Sequence, residues 1–314
     1  MASVSATAPA SASDAATWCL PSGRVIAYGF SYRNEPQRPT ILLSNSLGAQ
    51  YAFWDPVVAC LHAAGYRVLR YDHPGHGASG VPRDISSTTF SSLADDVYAL
   101  LTSADVSTAF AGHHSPNPGT FTPLLHAWIG VSMGAALGIV FASKYPAVVR
   151  RMVICDTIAC SPVNAGVPDL FGPRAAAARE LGSMEKNIAE TMDRWFGQDW
   201  MSANPDETAR IRQLMSKTTV AGFETCVAAL RSKTFDLGPL YSGLGACVER
   251  VLLVVGENDA NLPQTMDEMR REIEKGMQGG HRKVDLRVIP NAGHVCFIDG
   301  KEDWLNAVLP FLGD

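Results

Sequence analysis

The chain has no run of five or more basic residues, no cysteine pair at CxxC spacing and no stretch approaching 18 uninterrupted apolar residues. Each absence closes off a class of protein. Lacking a basic block, and with a net charge of −5 and a pI near 5.9, the chain is not expected to bind nucleic acid. Lacking a long apolar run, it is not expected to cross a membrane. The seven cysteines (Cys19, Cys60, Cys155, Cys160, Cys226, Cys247 and Cys296) are odd in number and scattered. That pattern reads as reduced, mostly buried thiols in a cytoplasmic protein, not as a disulfide framework. Neither a P-loop, a dinucleotide fingerprint nor a cluster of residues at metal-ligand spacing occurs, so no cofactor and no metal is expected. The opening segment, Met1–Ala16, holds one acid and no Lys or Arg. It has neither the charged and apolar regions of a signal peptide nor the arginines of a transit peptide, and it reads as a disordered tail. A small molecule is therefore the expected partner, and the oligomeric state stays open.

Hydrophobic residues make up 46% of the 314 positions and charged residues 18%, enough apolar material for one large core. Short β-type runs alternate with helical patterns, which predicts a mostly parallel sheet covered by helices on both faces. Strands are expected at Arg24–Tyr32 (a strand or hairpin), Thr40–Ser44, Tyr66–Tyr71, Leu125–Val131, Arg151–Cys155, Val251–Val255 and Val284–Ile289. Helices are expected near Trp54–Ala64, Ser91–Leu101, Met133–Lys144, Pro263–Met277 and Glu302–Phe311. Between about Ser161 and Leu237 only helical periodicity is found. A helical block between two strands of one sheet is best read as a cap, since the flanking strands need each other to bury their faces. The expected organisation is a core from 17–160 and 238–314 with a cap from 161–237. The stretch Asp105–Thr122 is rich in turn residues and is expected to be a long surface loop. His113 and His114 within it lack further ligands nearby, so a metal is not expected there.

The sharpest signal is Gly130-Val131-Ser132-Met133-Gly134, placed between an apolar strand and an Ala-rich helix. A tight strand-to-helix turn of this kind presents a serine as nucleophile, and side chains at the flanking positions would strike neighbouring backbone. A serine hydroxyl needs a base within reach. Of the eight histidines, His294 follows a strand and precedes the last helix, at the sheet edge from which Ser132 also emerges. His62 lies in a helical pattern, His113 and His114 in a loop, His126 at a strand start and His281 after two glycines, all read as structural. The acid should follow a strand between Ser132 and His294. Asp259, in Gly256-Glu257-Asn258-Asp259, is the choice to orient the histidine, with Glu257 as rival. An oxyanion needs two donors. One is assigned to the backbone N–H of Met133, the other to Ser46 in the loop Asn45-Ser46-Leu47-Gly48, with Leu47 as the alternative.

These stretches, together with Tyr71-Asp72-His73-Pro74-Gly75-His76-Gly77-Ala78-Ser79, resemble the α/β-hydrolase superfamily. Within it the chain is most similar to 3-oxoadipate enol-lactonases, a likeness that runs from about Arg24 onward and into the cap at Arg194-Trp195-Phe196. The resemblance implies an eight-stranded sheet with a helical cap after the sixth strand. It also implies cofactor-free hydrolysis of a lactone or ester held between core and cap. Leu47 and Trp195 are then candidates to line the pocket. If the substrate is a lactone carrying a carboxylate, Arg194 is the candidate to meet it, with Arg174 and Arg231 behind. His73–Ser79 is expected to brace the sheet edge. The loop at 105–122 and the Ala-rich tail depart from that branch. Two other readings use the same fold: cleavage of a C–C bond beside a ketone, and a non-catalytic ligand receptor. Aspartate-based dehalogenation is disfavoured by the serine at position 132.

Overall fold

The computed structural model describes residues 15–110, 124–277 and 284–313. Eight strands form one sheet: β1 (Ala15–Cys19), β2 (Val25–Phe30), β3 (Thr40–Ser44), β4 (Arg67–Tyr71), β5 (Leu125–Val131), β6 (Val149–Cys155), β7 (Arg250–Gly256) and β8 (Asp285–Ile289). Their order is β1-β2-β4-β3-β5-β6-β7-β8. The β1–β2 and β2–β4 pairings are antiparallel, and every pairing from β4 to β8 is parallel. The central strands are apolar almost throughout because helices cover both faces, as a parallel sheet requires.

The helices outside the β6–β7 connection are α1 (Asp55–Ala63), α2 (Phe90–Thr102), α3 (Ala104–Ser107) and α4 (Met133–Lys144) before it. After it come α11 (Leu262–Gly276), α12 (Cys296–Asp299) and α13 (Lys301–Gly313). Within the connection lie α5 (Pro162–Ala165), α6 (Phe171–Leu181), α7 (Glu185–Ala203), α8 (Pro205–Met215), α9 (Val220–Arg231) and α10 (Gly238–Cys247). The chain leaves and rejoins the sheet at a narrow neck. Cys160 and Asp236 form an antiparallel bridge there, and Leu237 N–H donates to the Ala159 carbonyl at 2.9 Å.

The helical block rests on the core through backbone as much as side chains. Gly75, in the loop after β4, and Gly222, in α9, approach so closely that a Cβ on either would overlap the other's backbone. Gly75 has φ +66, a conformation that itself favours glycine. Beside this seam, Thr219 N–H donates to the Gly75 carbonyl at 3.0 Å and Thr218 Oγ1 donates to the Gly48 carbonyl at 3.3 Å.

Two expectations need correction. The tail is expected over 1–16, but Ala15 and Ala16 already belong to β1, paired with Gly29 and Tyr28. An Ala/Thr-rich edge strand carries little hydrophobic signal of its own and gains its order from its neighbour. The loop expected at 105–122 begins later, because Ala104–Ser107 is helical and Thr108–Phe110 forms a 3-10 turn. Val106 and Phe110 are fully buried, and that burial outweighs the turn residues downstream. The remainder of that loop, with His113 and His114, lies outside the described residues, as does His281.

Candidate active site

Ser132 stands at the turn between β5 and α4 with φ 53 and ψ −118, a combination that costs a non-glycine residue energy. The surroundings hold it there. Trp128, in β5, donates its indole N–H to the Gly134 carbonyl at 3.0 Å. A Cβ on Gly130 would overlap the Gly134 carbonyl, and a Cβ on Gly134 would overlap the carbonyl of Ser44. Both glycines of the pentapeptide are thus required by close backbone approach, and the second sets the start of α4 directly against the end of β3. Ser132 N–H donates to the Cys155 carbonyl at 2.8 Å, which ties the turn to β6 as well.

His294 and Asp259 come from the loops after β8 and β7. The imidazole Nδ1 lies 2.7 Å from Asp259 Oδ2, with each residue 8% exposed. A carboxylate only accepts, so this bond places a proton on Nδ1 and leaves Nε2 as the basic nitrogen. The rival Glu257 is exposed and accepts the Asn291 N–H at 2.9 Å instead, away from the imidazole. Two further contacts fix the histidine. The backbone N–H of His294 donates to the Trp195 carbonyl at 3.3 Å, and the Gly293 N–H donates to Asp299 Oδ2 at 2.6 Å. The Trp195 carbonyl is free to accept because α7 breaks at Gly197, with φ 73, just beyond it. Burial pushes the Asp299 carboxyl up to about 6.

The loop after β3 lies beside Met133, the first residue of α4, whose N–H precedes that helix's own ladder of bonds. Gly48 N–H is taken by His76 Nε2 at 2.9 Å. Among the described residues, the N–H groups of Ser46 and Leu47 make no bond to a protein acceptor. His73 holds the same loop, its Nε2 lying 2.9 Å from the Asn45 carbonyl. The segment His73–Ser79 therefore does more than brace the sheet edge. Ser79 Oγ does that, accepting the Ala27 N–H at 2.9 Å, while the two histidines hold the loop that carries Ser46.

From the helical block, Trp195 is buried and stacks on the His294 ring with centroids 5.5 Å apart and planes at 26°. It also meets Phe53 edge-on at 6.3 Å. Arg194 is exposed and, among the described residues, has no side-chain hydrogen bond or ion pair. The protein mass around it draws its pKa down, while Asp259 acts in the opposite sense. Its guanidinium is open to water and stays charged. Arg174 is half-buried and donates to Asn187 Oδ1 at 3.3 Å and to Thr191 Oγ1. Arg231 pairs with Asp169 at 2.5 Å on the outer side.

Sequence reading passed over Asp156, Thr157 and Asp299. Asp156 follows an apolar strand at its carboxyl end, the same placement that singled out Asp259, so a signal was there to use. Among the described residues no group of three or more His, Cys, Asp or Glu side chains could hold a metal ion, and no helix is long and apolar enough to cross a membrane.

The model of the alpha/beta hydrolase family matches residues 41–308. The chain is 29% identical to 3-oxoadipate enol-lactonase 1 of Acinetobacter baylyi over 202 residues, 63% of this chain and 65% of that relative's length. It is 26% identical to 3-oxoadipate enol-lactonase 2 of the same organism, over 74% of this chain and 76% of the relative. Among solved structures, the enol-lactonase from Burkholderia xenovorans superposes with a TM-score of 0.76 at 27% identity, covering 95% of this chain and 100% of that one.

Proposed function

The chain belongs to the alpha/beta hydrolase family, and from that premise we propose that it is a serine hydrolase of small lactones or esters, with Ser132 as nucleophile, His294 as base and Asp259 as acid. The observation that carries this reading is the buried 2.7 Å bond between His294 Nδ1 and Asp259 Oδ2. It leaves Nε2 basic in a loop at the same sheet edge as the strained Ser132.

In this reading Ser132 Oγ attacks the carbonyl carbon while His294 Nε2 takes the hydroxyl proton. Asp259 stabilises the imidazolium without being protonated itself. The carbonyl oxygen becomes an oxyanion held by the N–H of Met133 and that of Ser46, with Leu47 as the alternative donor. Collapse breaks the C–O bond, His294 returns its proton to the leaving oxygen, and an acyl-enzyme remains. With a lactone the alcohol stays tethered to the acyl group. Water, deprotonated by His294, then releases the acid and restores Ser132.

The helices of residues 161–237 act as the cap. Trp195 and Leu47 form walls of the pocket, and Arg194, charged and without an ion-pair partner among the described residues, meets a carboxylate on the substrate. Similarity to enol-lactonases supports that substrate class.

The test is a hydrolysis screen over lactones, alkyl esters and β-diketones with wild type and Ser132→Ala, together with labelling by an aryl fluorophosphonate. Multiple turnovers on a lactone or ester, lost in Ser132→Ala with the label on Ser132, is the expected result. Turnover that survives Ser132→Ala, or a single acylation without further product, overturns the reading.

A further inference from the structure

The end of β6 touches all three of the segments that carry Ser132, Asp259 and His294. The Cys155 carbonyl accepts the Ser132 N–H at 2.8 Å, and Thr157 Oγ1 donates to the Ser132 carbonyl at 2.8 Å. Between them stands Asp156, wholly buried, with φ 46. Its Oδ1 accepts the N–H of Gly256 at 2.8 Å, at the end of β7 and three positions before Asp259. Its Oδ2 accepts the thiol of Cys296 at 3.1 Å, two positions after His294. The two loops also meet directly, Asn258 N–H donating to the Ala292 carbonyl at 2.8 Å and Asn291 N–H to Glu257, and the one carboxyl group of Asp156 adds a buried tie from β6 to both at their base.

A carboxyl is a costly group to hide. Burial and the nearby Asp259 push Asp156 well above the usual carboxylate range. A neutral side chain with one oxygen would satisfy the Gly256 N–H with less penalty. What such a side chain lacks is a second acceptor, and here the second acceptor is the one that reaches the His294 segment.

We propose that Asp156 is a positioning residue for the reaction at Ser132, its two carboxyl oxygens locking the strand end that leads to Asp259 to the turn that carries His294. The proposal rests on the assignment of Ser132, His294 and Asp259 given above. It adds a group that touches no substrate and acts by fixing the acid and base relative to each other. Misplacement by about 1 Å within such a pair is enough to cost on the order of a hundredfold in rate.

The two oxygens can be tested separately. Asp156→Asn keeps an acceptor for Gly256 and loses the Cys296 arm. Cys296→Ala loses the same arm without changing any charge near His294. Cys296→Ser restores a donor. The charged group in contact with the His294 ring is Asp259 from the loop after β7; around it Asp299 from α12 bonds the neighbouring Gly293, Asp156 from the turn after β6 bonds Cys296, Arg194 from α7 acts on Asp259, and the Cys155 thiol also meets Cys296. Steady-state kinetics on the best ester found for the wild type, normalised to sites titrated by fluorophosphonate, read the effect per active enzyme. Asp156→Asn and Cys296→Ala are expected to lower kcat by about tenfold, with KM little changed. The acid limb of kcat/KM should shift to lower pH as the imidazolium loses support, and Cys296→Ser should stay close to wild type. The double variant should lose no more than either single one, because both cut the same arm. Variants with lowered Tm but unchanged kcat per site and an unmoved acid limb would reduce Asp156 to a structural residue and overturn the proposal. Additive losses in the double variant would do the same. If Asp156→Asn does not fold, the comparison of Cys296→Ala with Cys296→Ser decides alone. A wild type that is neither labelled nor active would fail at the earlier assignment, before any variant is compared.

Discussion

His76 accepts the backbone N–H of Gly48 through Nε2 at 2.9 Å, while its Nδ1 lies 2.9 Å from the Pro74 carbonyl. An N–H can only donate, so Nε2 must be unprotonated and the single ring proton sits on Nδ1. Burial, with the neighbouring His73 adding to it, holds the His76 pKa down at about 3, and His73 lies at about 4 for the same main reason. Protonation of His76 would set two donors against each other beneath the loop that carries Ser46.

A stability profile should register this. A histidine whose folded pKa is depressed binds protons more readily in the unfolded chain, so its contribution is present above about pH 6.5 and lost as pH falls towards 3. His76→Gln keeps an acceptor for Gly48 and removes the titration. Between pH 7 and 5 the wild type is expected to lose about 2 kcal/mol more stability than the variant, at about 1.4 kcal/mol per pH unit below 6.5. Urea unfolding at both pH values measures it. Parallel losses would show that His76 does not titrate in this window.

Asp259→Asn should lower kcat by several orders of magnitude, about 10⁴-fold where such a change has left geometry intact, because the amide favours the wrong histidine tautomer. Glu257→Gln keeps an acceptor for the Asn291 N–H and should change kcat by less than about threefold, within the range of surface substitutions. Steady-state kinetics on one ester compare the two. A crippled Glu257→Gln beside an active Asp259→Asn would exchange their roles.

Gly134→Ala places a methyl against the Ser44 carbonyl, and backbone on both sides leaves little room to yield. The expected cost is about 1–3 kcal/mol, with α4 displaced from the end of β3. Since that contact also sets Met133 beside Ser46, kcat should fall more than Tm alone accounts for. Thermal unfolding and kinetics on the same preparation check both.

Arg194→Gln separates two views of the cap. On an acidic lactone, loss of a charge-assisted contact should cost about ten- to a hundredfold in kcat/KM, with little change on the neutral methyl ester of the same compound. Equal, small effects on both substrates would place Arg194 on the solvated face of α7.

The sheet and its helices were legible because parallel strands covered on both faces must be apolar, and β3, β5, β6 and β7 are. The serine turn was legible because its two glycines answer to backbone contacts only a few residues or one strand away. Asp259 is preferred to Glu257 because a carboxylate directly at the strand end comes too early in the turn to be aimed at the histidine, and Glu257 is exposed and accepts the Asn291 N–H. Other features were out of reach. The edge strand β1 consists of Ala, Thr, Trp and Cys and owes its order to β2. The ties of Asp156 to Gly256 and Cys296 span 100 and 140 residues, a separation at which no local spacing rule operates. The two histidines of the loop after β4 were visible, but the loop they hold lies 28 residues earlier.

The seam where Gly75 meets Gly222 bears on how this molecule can be re-engineered. Caps of this kind invite exchange, since the neck at Cys160 and Asp236 looks like a convenient splice point. A donor cap with any side chain at the position of Gly222 would arrive with a methyl or more where there is room for a hydrogen. The graft would either stand off from the loop after β4 or distort it, and that loop carries His76. Compatibility of a chimera is thus decided far from the splice, at a single Cα, and a library of swapped caps should be filtered on that residue before anything else.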